Sequence, residues 1–334
     1  MLTHRERLQA CLADDPALDR PPVGLWRHFP VDDQSPEALA AATVDFHRRY
    51  DFDLVKVTPA SSFCLKDWGA QDAWEGNPEG TRRYTRYVIE KPQDWEHLPA
   101  LDPSALHLSG QLACLRLLHR ELGPEVPLLQ TVFSPLAQAK NLAGGDRLIV
   151  QLRLYPDSVM KGLQTIAETT RRFVAAAIET GIDGLFYAVQ HAQAGLLTLD
   201  EYKTFGLPFD TISLEPAQGL WCNMLHLHGK DIYFSLLTSS LSFHIVNWHD
   251  RDASPSLAEA QKHFAGVVCG GLRRETVVSG TPDEVQEEAA EALEQTNGRR
   301  FILGTGCVVP VIAPHGNIMA ARNSVEEENV RRKA

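Results

Sequence analysis

The chain has 334 residues, is 44% hydrophobic and 22% charged, and carries a formal net charge of -11. Those are ordinary globular values, long enough for one large barrel or two smaller domains. The acidic balance without a long basic run excludes sequence-independent binding of nucleic acid, which needs clustered Lys and Arg against phosphates. No apolar segment approaches the roughly 20 residues of a membrane span.

The first residues, Met1-Leu2-Thr3-His4-Arg5-Glu6-Arg7, are charged and lack an apolar signal core, so a cytoplasmic location is expected. Six cysteines, at 11, 64, 114, 222, 269 and 307, are scattered without close pairing. In that compartment they are reduced thiols, mostly small core residues.

In chain order, short β-like runs alternate with longer helical patterns. Residues 2–12 read as a leading helix, and residues 20–27 as a first strand entered through Pro21 and Pro22. Ser35-Pro36-Glu37 supplies an N-cap and a proline at the first helical position, opening a helix to about Tyr50. A strand over 52–57 follows. Residues 58–91 are polar, aromatic and irregular, and the alternation over 82–89 predicts a hairpin strand, either a lid over a pocket or a decoration. Further helices are predicted over 105–122, 135–142, 158–180 and 199–216. Further strands are predicted over 126–133, 183–190, 220–224, 243–248, 265–270 and 300–304. Thr281-Pro282-Asp283-Glu284 is a capping box that opens a helix to about Asn297. Residues 326–334 read as a solvated tail.

About eight strands, each followed by helix, predict a single (β/α)8 TIM barrel over 1–325, with an N-terminal helix and an inserted hairpin after the second strand. A doubly wound open sheet is the rival. It would normally carry a Gly-rich nucleotide turn after its first strand, and none is present there. In a barrel the C-terminal strand ends meet at one mouth. Here they offer Arg27, Lys56, Gln190, His191, His226, His228, His249, Asp250 and Cys307.

Within that set, His226 and His228 stand one residue apart at a strand end, so both side chains point the same way. Neutral imidazole is a favoured zinc ligand. Cys307 follows Gly304-Thr305-Gly306, a turn that lets backbone approach closely. His226, His228 and Cys307 thus form a candidate metal set with room for a further ligand. His191 and His249 are candidate acid–base groups or partners of the ligands. Arg27 is a candidate clamp for an anionic part of a small-molecule substrate. The blander readings are satisfied polar end-caps for the histidines, a small residue in a tight turn for Cys307, and a rim salt bridge for Arg27.

The chain resembles the uroporphyrinogen decarboxylase superfamily. The resemblance is carried by Arg20-Pro21-Pro22-Val23 with Arg27 after it, by Gly270-Gly271-Leu272 before the helix start at Gly280-Thr281-Pro282, by Phe301-Ile302-Leu303-Gly304-Thr305-Gly306-Cys307 and by Pro314-His315-Gly316-Asn317-Ile318. It implies a (β/α)8 barrel and one of two chemistries. Metal-free porphyrinogen decarboxylation would need a second arginine where Val31 stands, an aspartate within residues 58–63, and a histidine where Thr305 stands. The zinc-dependent, corrinoid-linked methyltransferase branch has a motif similar to His-x-Cys-Gly with a late cysteine after glycine. This chain has His226-Leu227-His228-Gly229 and Gly306-Cys307, with one cysteine replaced by histidine.

The resemblance therefore implies zinc on His226, His228 and Cys307 and a methyl group drawn from a corrinoid, free or on a partner protein. A homodimer is compatible with the sequence. Decarboxylation in tetrapyrrole synthesis and a non-catalytic tetrapyrrole- or corrinoid-protein-binding barrel are the alternatives.

Overall fold

A computed structural model describes the backbone of residues 1–333 and side chains through Glu326. Helix α1 (His4–Leu12) is capped by Thr3, and α2 (Pro36–Tyr50) starts at Ser35, whose side chain accepts from Ala38 N–H. The central elements follow: β1 (Val55–Val57), the hairpin β2 (Gln71–Ala73) and β3 (Arg83–Arg86), α3 (Leu106–Leu122), β4 (Leu128–Phe133), α4 (Pro135–Ala143), α5 (Gly145–Leu154) and α6 (Pro156–Ile178). Next come β5 (Gly184–Val189), α7 (Leu199–Phe205), α8 (Leu207–Leu214), β6 (Met224–Leu227), α9 (Phe234–Ser240) and β7 (Ile245–Trp248). The chain continues with α10 (Leu257–His263), β8 (Val267–Leu272), α11 (Arg274–Ser279), α12 (Pro282–Thr296), β9 (Phe301–Thr305) and α13 (His315–Lys333). The solvated tail expected over 326–334 lies outside the described residues, apart from Glu326 and the backbone of α13.

The sheet is parallel, in the order β1-β4-β5-β6-β7-β8-β9, and every residue of its strands is buried. Burial on both faces explains why these strands read as apolar runs rather than alternating ones. The predicted first strand, 20–27, contracts to one bridge between Val23 and Leu303. Pro21 and Pro22 have no N–H to donate, so a longer ladder cannot form. The bridge still closes the curl. Leu303 N–H donates to Pro22 O at 2.9 Å and Gly24 N–H to Leu303 O at 2.9 Å, while Asp53 N–H, just before β1, donates to Val23 O at 2.8 Å. The eight-stranded expectation becomes seven strands and a bridging segment around one barrel.

Below the strands, Asp53 ties the closing segment to α1. Its buried carboxylate accepts from Arg7 Nη1 at 2.7 Å, Arg20 Nη1 at 2.6 Å and Val23 N–H at 2.8 Å. Burial alone would raise this carboxyl's pKa, but His4, Arg20 and Arg7 outweigh it and hold the group well below the usual carboxylate range.

Three other expectations shift. The helix over 199–216 breaks at Gly206, because Pro208 cannot donate a helical hydrogen bond and would crowd the preceding turn. The strand placed over 220–224 starts only at Met224 and contains His226 itself. Helix α5 was not anticipated. The inserted hairpin is present, and its tip leans over the barrel mouth, where Val311 N–H donates to Pro78 O at 2.8 Å and Arg274 pairs with Glu79.

Candidate metal centre

Three donors converge at the mouth. One ligand atom each from His226, His228 and Cys307 lie within 4.8 Å of one another. Strand β6 delivers His226, with its ring stacked on Phe186 at 5.1 Å and 24°. His228 is one residue past the strand, and Gly229 (φ 103°) then turns the chain away in a conformation that favours glycine. Cys307 follows β9. A Cβ on Gly306 would stand 2.6 Å from His249 Cα and 2.7 Å from Trp248 O, so only glycine lets this turn press against the end of β7. That approach places the Cys307 Sγ 3.9 Å from His228 Nδ1. His249 Nε2 stands 3.5 Å from the same nitrogen, so a third imidazole borders the cluster.

The electrostatics agree with the geometry. Burial would raise the Cys307 thiol, but His226, His228 and His249 outweigh it and hold it well below its ordinary value. Cys307 in turn raises the pKa of His228, against the effect of burial. His226 is pushed down, by burial first, against the opposing pull of Cys307. The other five cysteines are buried, and burial drives their thiols well above the ordinary value. Cys307 alone among the six is shifted downward. A soft thiolate with two imidazoles fits zinc and leaves a position for a further ligand.

The cluster opens onto a cavity of about 310 Å³. Its lining includes Lys56, Lys140, Tyr84 and Phe133, and the hairpin tip contributes Glu79, Gly80 and Arg82. Lys56 Nζ lies 4.6 Å over the Phe186 ring and donates to Thr58 Oγ1 at 3.2 Å, and burial pushes its pKa down to about 7. Neither Lys56 nor Lys140 has a carboxylate partner among the described residues.

The sequence-predicted residues divide. Lys56, Gln190, His226, His228 and Cys307 line the cavity, and His249 touches the cluster. Arg27 does not reach the cavity. Side chains alternate along the extended segment, so Trp26 and His28 face the cavity and Arg27 between them faces α2. There its guanidinium lies 5.3 Å from the Phe29 ring and 5.4 Å from the Phe46 ring, and donates to Val311 O at 3.4 Å. The structure thus places Arg27, the expected anion clamp, outside this cavity.

His191 is buried behind the cavity wall and pushed down to about 4, by burial first and then by Lys140 and His228. Asp250 accepts from Gly271 N–H at 3.1 Å, so it orients backbone and not an imidazole.

Three residues escaped the sequence reading. His28 was signalled by the same alternation that removes Arg27. Lys140 sits in the short helix after β4, where a strand-end search does not look. Asn247, in the middle of β7, reads as a core position.

A family model described as "Uroporphyrinogen decarboxylase (URO-D)" matches residues 26–328. Among curated proteins, a uroporphyrinogen decarboxylase of Chlorobium phaeobacteroides is 26% identical, over 65% of this chain and 64% of its own length. One from Chlorobium limicola is 25% identical over 73% of this chain and 72% of its own length. Among solved structures, a methyltransferase from Methanosarcina mazei shares the fold with a TM-score of 0.86 and 18% identity, covering 98% of this chain and 99% of that one. A B12-independent methionine synthase from a Shewanella species gives a TM-score of 0.60 and 14% identity, covering 93% of each chain. No described helix is long and apolar enough to cross a membrane.

Proposed function

The chain belongs to the uroporphyrinogen decarboxylase (URO-D) family, and from that footing we propose that it is a zinc-dependent methyltransferase acting on a small thiol or similar nucleophile. The observation that carries this reading is the convergence of His226, His228 and Cys307 at the cavity wall. Zinc held by these three would keep an acceptor's sulfur as thiolate, nucleophilic at neutral pH.

The chain's own residues supply the rest. His249, bordering the cluster and partly exposed, takes the acceptor's proton. Lys56 and Lys140 hold an anionic part of the acceptor across the cavity, the task first expected of Arg27. Phe186, Phe133 and Trp26 keep the reacting end apolar. The acceptor loses a proton, a sulfur–carbon bond forms, and the donor–methyl bond breaks with its electrons left on the donor. A methyl-corrinoid, free or carried by a protein that docks at the mouth, is the proposed donor. The Methanosarcina neighbour's description as a methyltransferase supports this class of reaction.

Decarboxylation, the activity named for the curated relatives, is less well supported. Val31 and Thr305 stand where that chemistry would need arginine and histidine, and residues 58–63 offer no aspartate.

The test incubates zinc-loaded protein with methylcobalamin and a panel of small thiols, some carrying acid groups. Thioether formation that stops on chelation is expected. Turnover of uroporphyrinogen by chelator-treated protein, with no methyl transfer, would replace this reading with decarboxylation. Within the active pair, Lys56→Met should raise KM for an anionic thiol by roughly tenfold or more, the worth of a charge-assisted hydrogen bond. KM for an uncharged thiol should hardly change.

A further inference from the structure

We infer that Asn247 is a positioning residue that fixes which nitrogen of His226 is free to bind a metal. This rests on the metal reading above, but its key step can be measured without metal. Parallel register sets Asn247 of β7 beside His226 of β6. Asn247 is fully buried, and its amide makes three hydrogen bonds. Nδ2 lies 3.0 Å from Cys269 O and 3.0 Å from Thr305 O. Both are carbonyls, which only accept, so the amide nitrogen must face them.

The amide orientation is thereby decided by its surroundings. The remaining atom, Oδ1, is 2.7 Å from His226 Nδ1, and an amide oxygen also only accepts. Nδ1 therefore carries a proton, and in the neutral ring the lone pair sits on Nε2, the nitrogen left for the metal cluster. Stacking on Phe186 holds the ring plane while the hydrogen bond sets its rotation.

The same amide reaches the other side of the site. It binds the carbonyl of Thr305, and Thr305 Oγ1 donates to Cys307 O at 2.5 Å. One side chain thus links the strand that carries an imidazole to the turn that carries the sulfur. A partner of this kind on a metal-binding histidine fixes tautomer and ring orientation. An apolar residue at 247 would remove one donor from each of two buried carbonyls and the acceptor of one imidazole N–H.

The experiment is nitrogen-15 NMR of the histidine side chains at neutral pH in metal-free protein, followed by zinc titration of wild type, Asn247→Asp and Asn247→Ala. In wild type, His226 should carry its proton on Nδ1 with Nε2 bare. Asn247→Ala should admit the Nε2–H tautomer, the form a free neutral histidine side chain prefers, and weaken zinc binding by roughly 10- to 100-fold. Asn247→Asp keeps an acceptor for Nδ1–H and should keep the wild-type tautomer.

A wild-type His226 protonated on Nε2 would overturn the inference, as would an unchanged tautomer in a folded Asn247→Ala protein. If the alanine variant does not fold, the wild-type spectrum alone decides. Failure of wild type to bind zinc would sink the metal reading and leave the tautomer result standing.

Discussion

Replacing Cys307 by alanine should abolish tight metal binding and methyl transfer while leaving the barrel folded. Cys307 is partly exposed at the end of a turn, so truncating it opens no core cavity of the kind that makes buried large-to-small changes costly. The loss is chemical. Alanine removes the only thiolate that the three imidazoles are arranged to stabilise. It also leaves His226 and His228 as a two-point site, which His249 does not restore as a softer donor would.

Zinc affinity should fall by more than the roughly 10- to 100-fold that follows loss of an outer hydrogen-bond partner. Cys307→Ser is the sharper control, since it keeps the size and withholds the easily ionised sulfur. It should behave nearly as badly as alanine. Competition titration against a chelating dye reads the affinity, and thermal unfolding of the metal-free proteins checks the fold. Zinc affinity in Cys307→Ala equal to wild type would remove the sulfur from the site.

The second large effect falls on stability. Asp53→Asn should destabilise the protein by about 3–5 kcal/mol, the usual cost of removing one partner from a buried ion network. The carboxylate serves two buried guanidinium groups, Arg7 and Arg20, and accepts from Val23 N–H where the barrel closes. Asparagine has a similar shape but no charge. Both arginines would keep their desolvation cost with less to offset it; Arg7 retains Asp19 at 2.8 Å and Leu2 O at 2.7 Å, and Arg20 retains Pro21 O at 3.1 Å. Denaturant melts of metal-free wild type and variant measure the difference.

The pH dependence carries the matching sign. The folded-state pKa of Asp53 is depressed, so its contribution is fully present above the ordinary carboxyl pKa of about 4. It is lost as pH falls from there toward the folded-state value. The variant should therefore show a shallower acid limb than wild type. Parallel limbs would mean that the network does not hold the carboxylate ionised.

The barrel was legible because its signals are local. Apolar runs bounded by turn residues locate the strands of the sheet except β6, which begins where the expected run ends, and proline with a capping serine or threonine locates the starts of α2 and α12. The first strand was overread because one apolar run cannot reveal how many of its residues find a partner. Pro21 and Pro22 were visible, and their missing donors are the reason for the shortfall.

The metal cluster was legible in a different way. His226 and His228 share a face by alternation, and a barrel brings the end of β9 to the same mouth. The same alternation decides the extended segment after Pro22, where Trp26 and His28 take the inward face and Arg27 the outward one. Lys140 and Asn247 were not legible, because their importance arises only from what the parallel register and the β4–α4 connection place beside them.

Metal content of protein purified without chelator is the most direct measurement of whether His226, His228 and Cys307 work together. Wild type should contain about one zinc per chain, as expected for a three-ligand catalytic site, and the His226→Ala, Cys307→Ala double variant should contain almost none. A folded wild type that neither retains zinc nor takes it up on titration, or a double variant with undiminished zinc, would contradict a metal centre at this mouth.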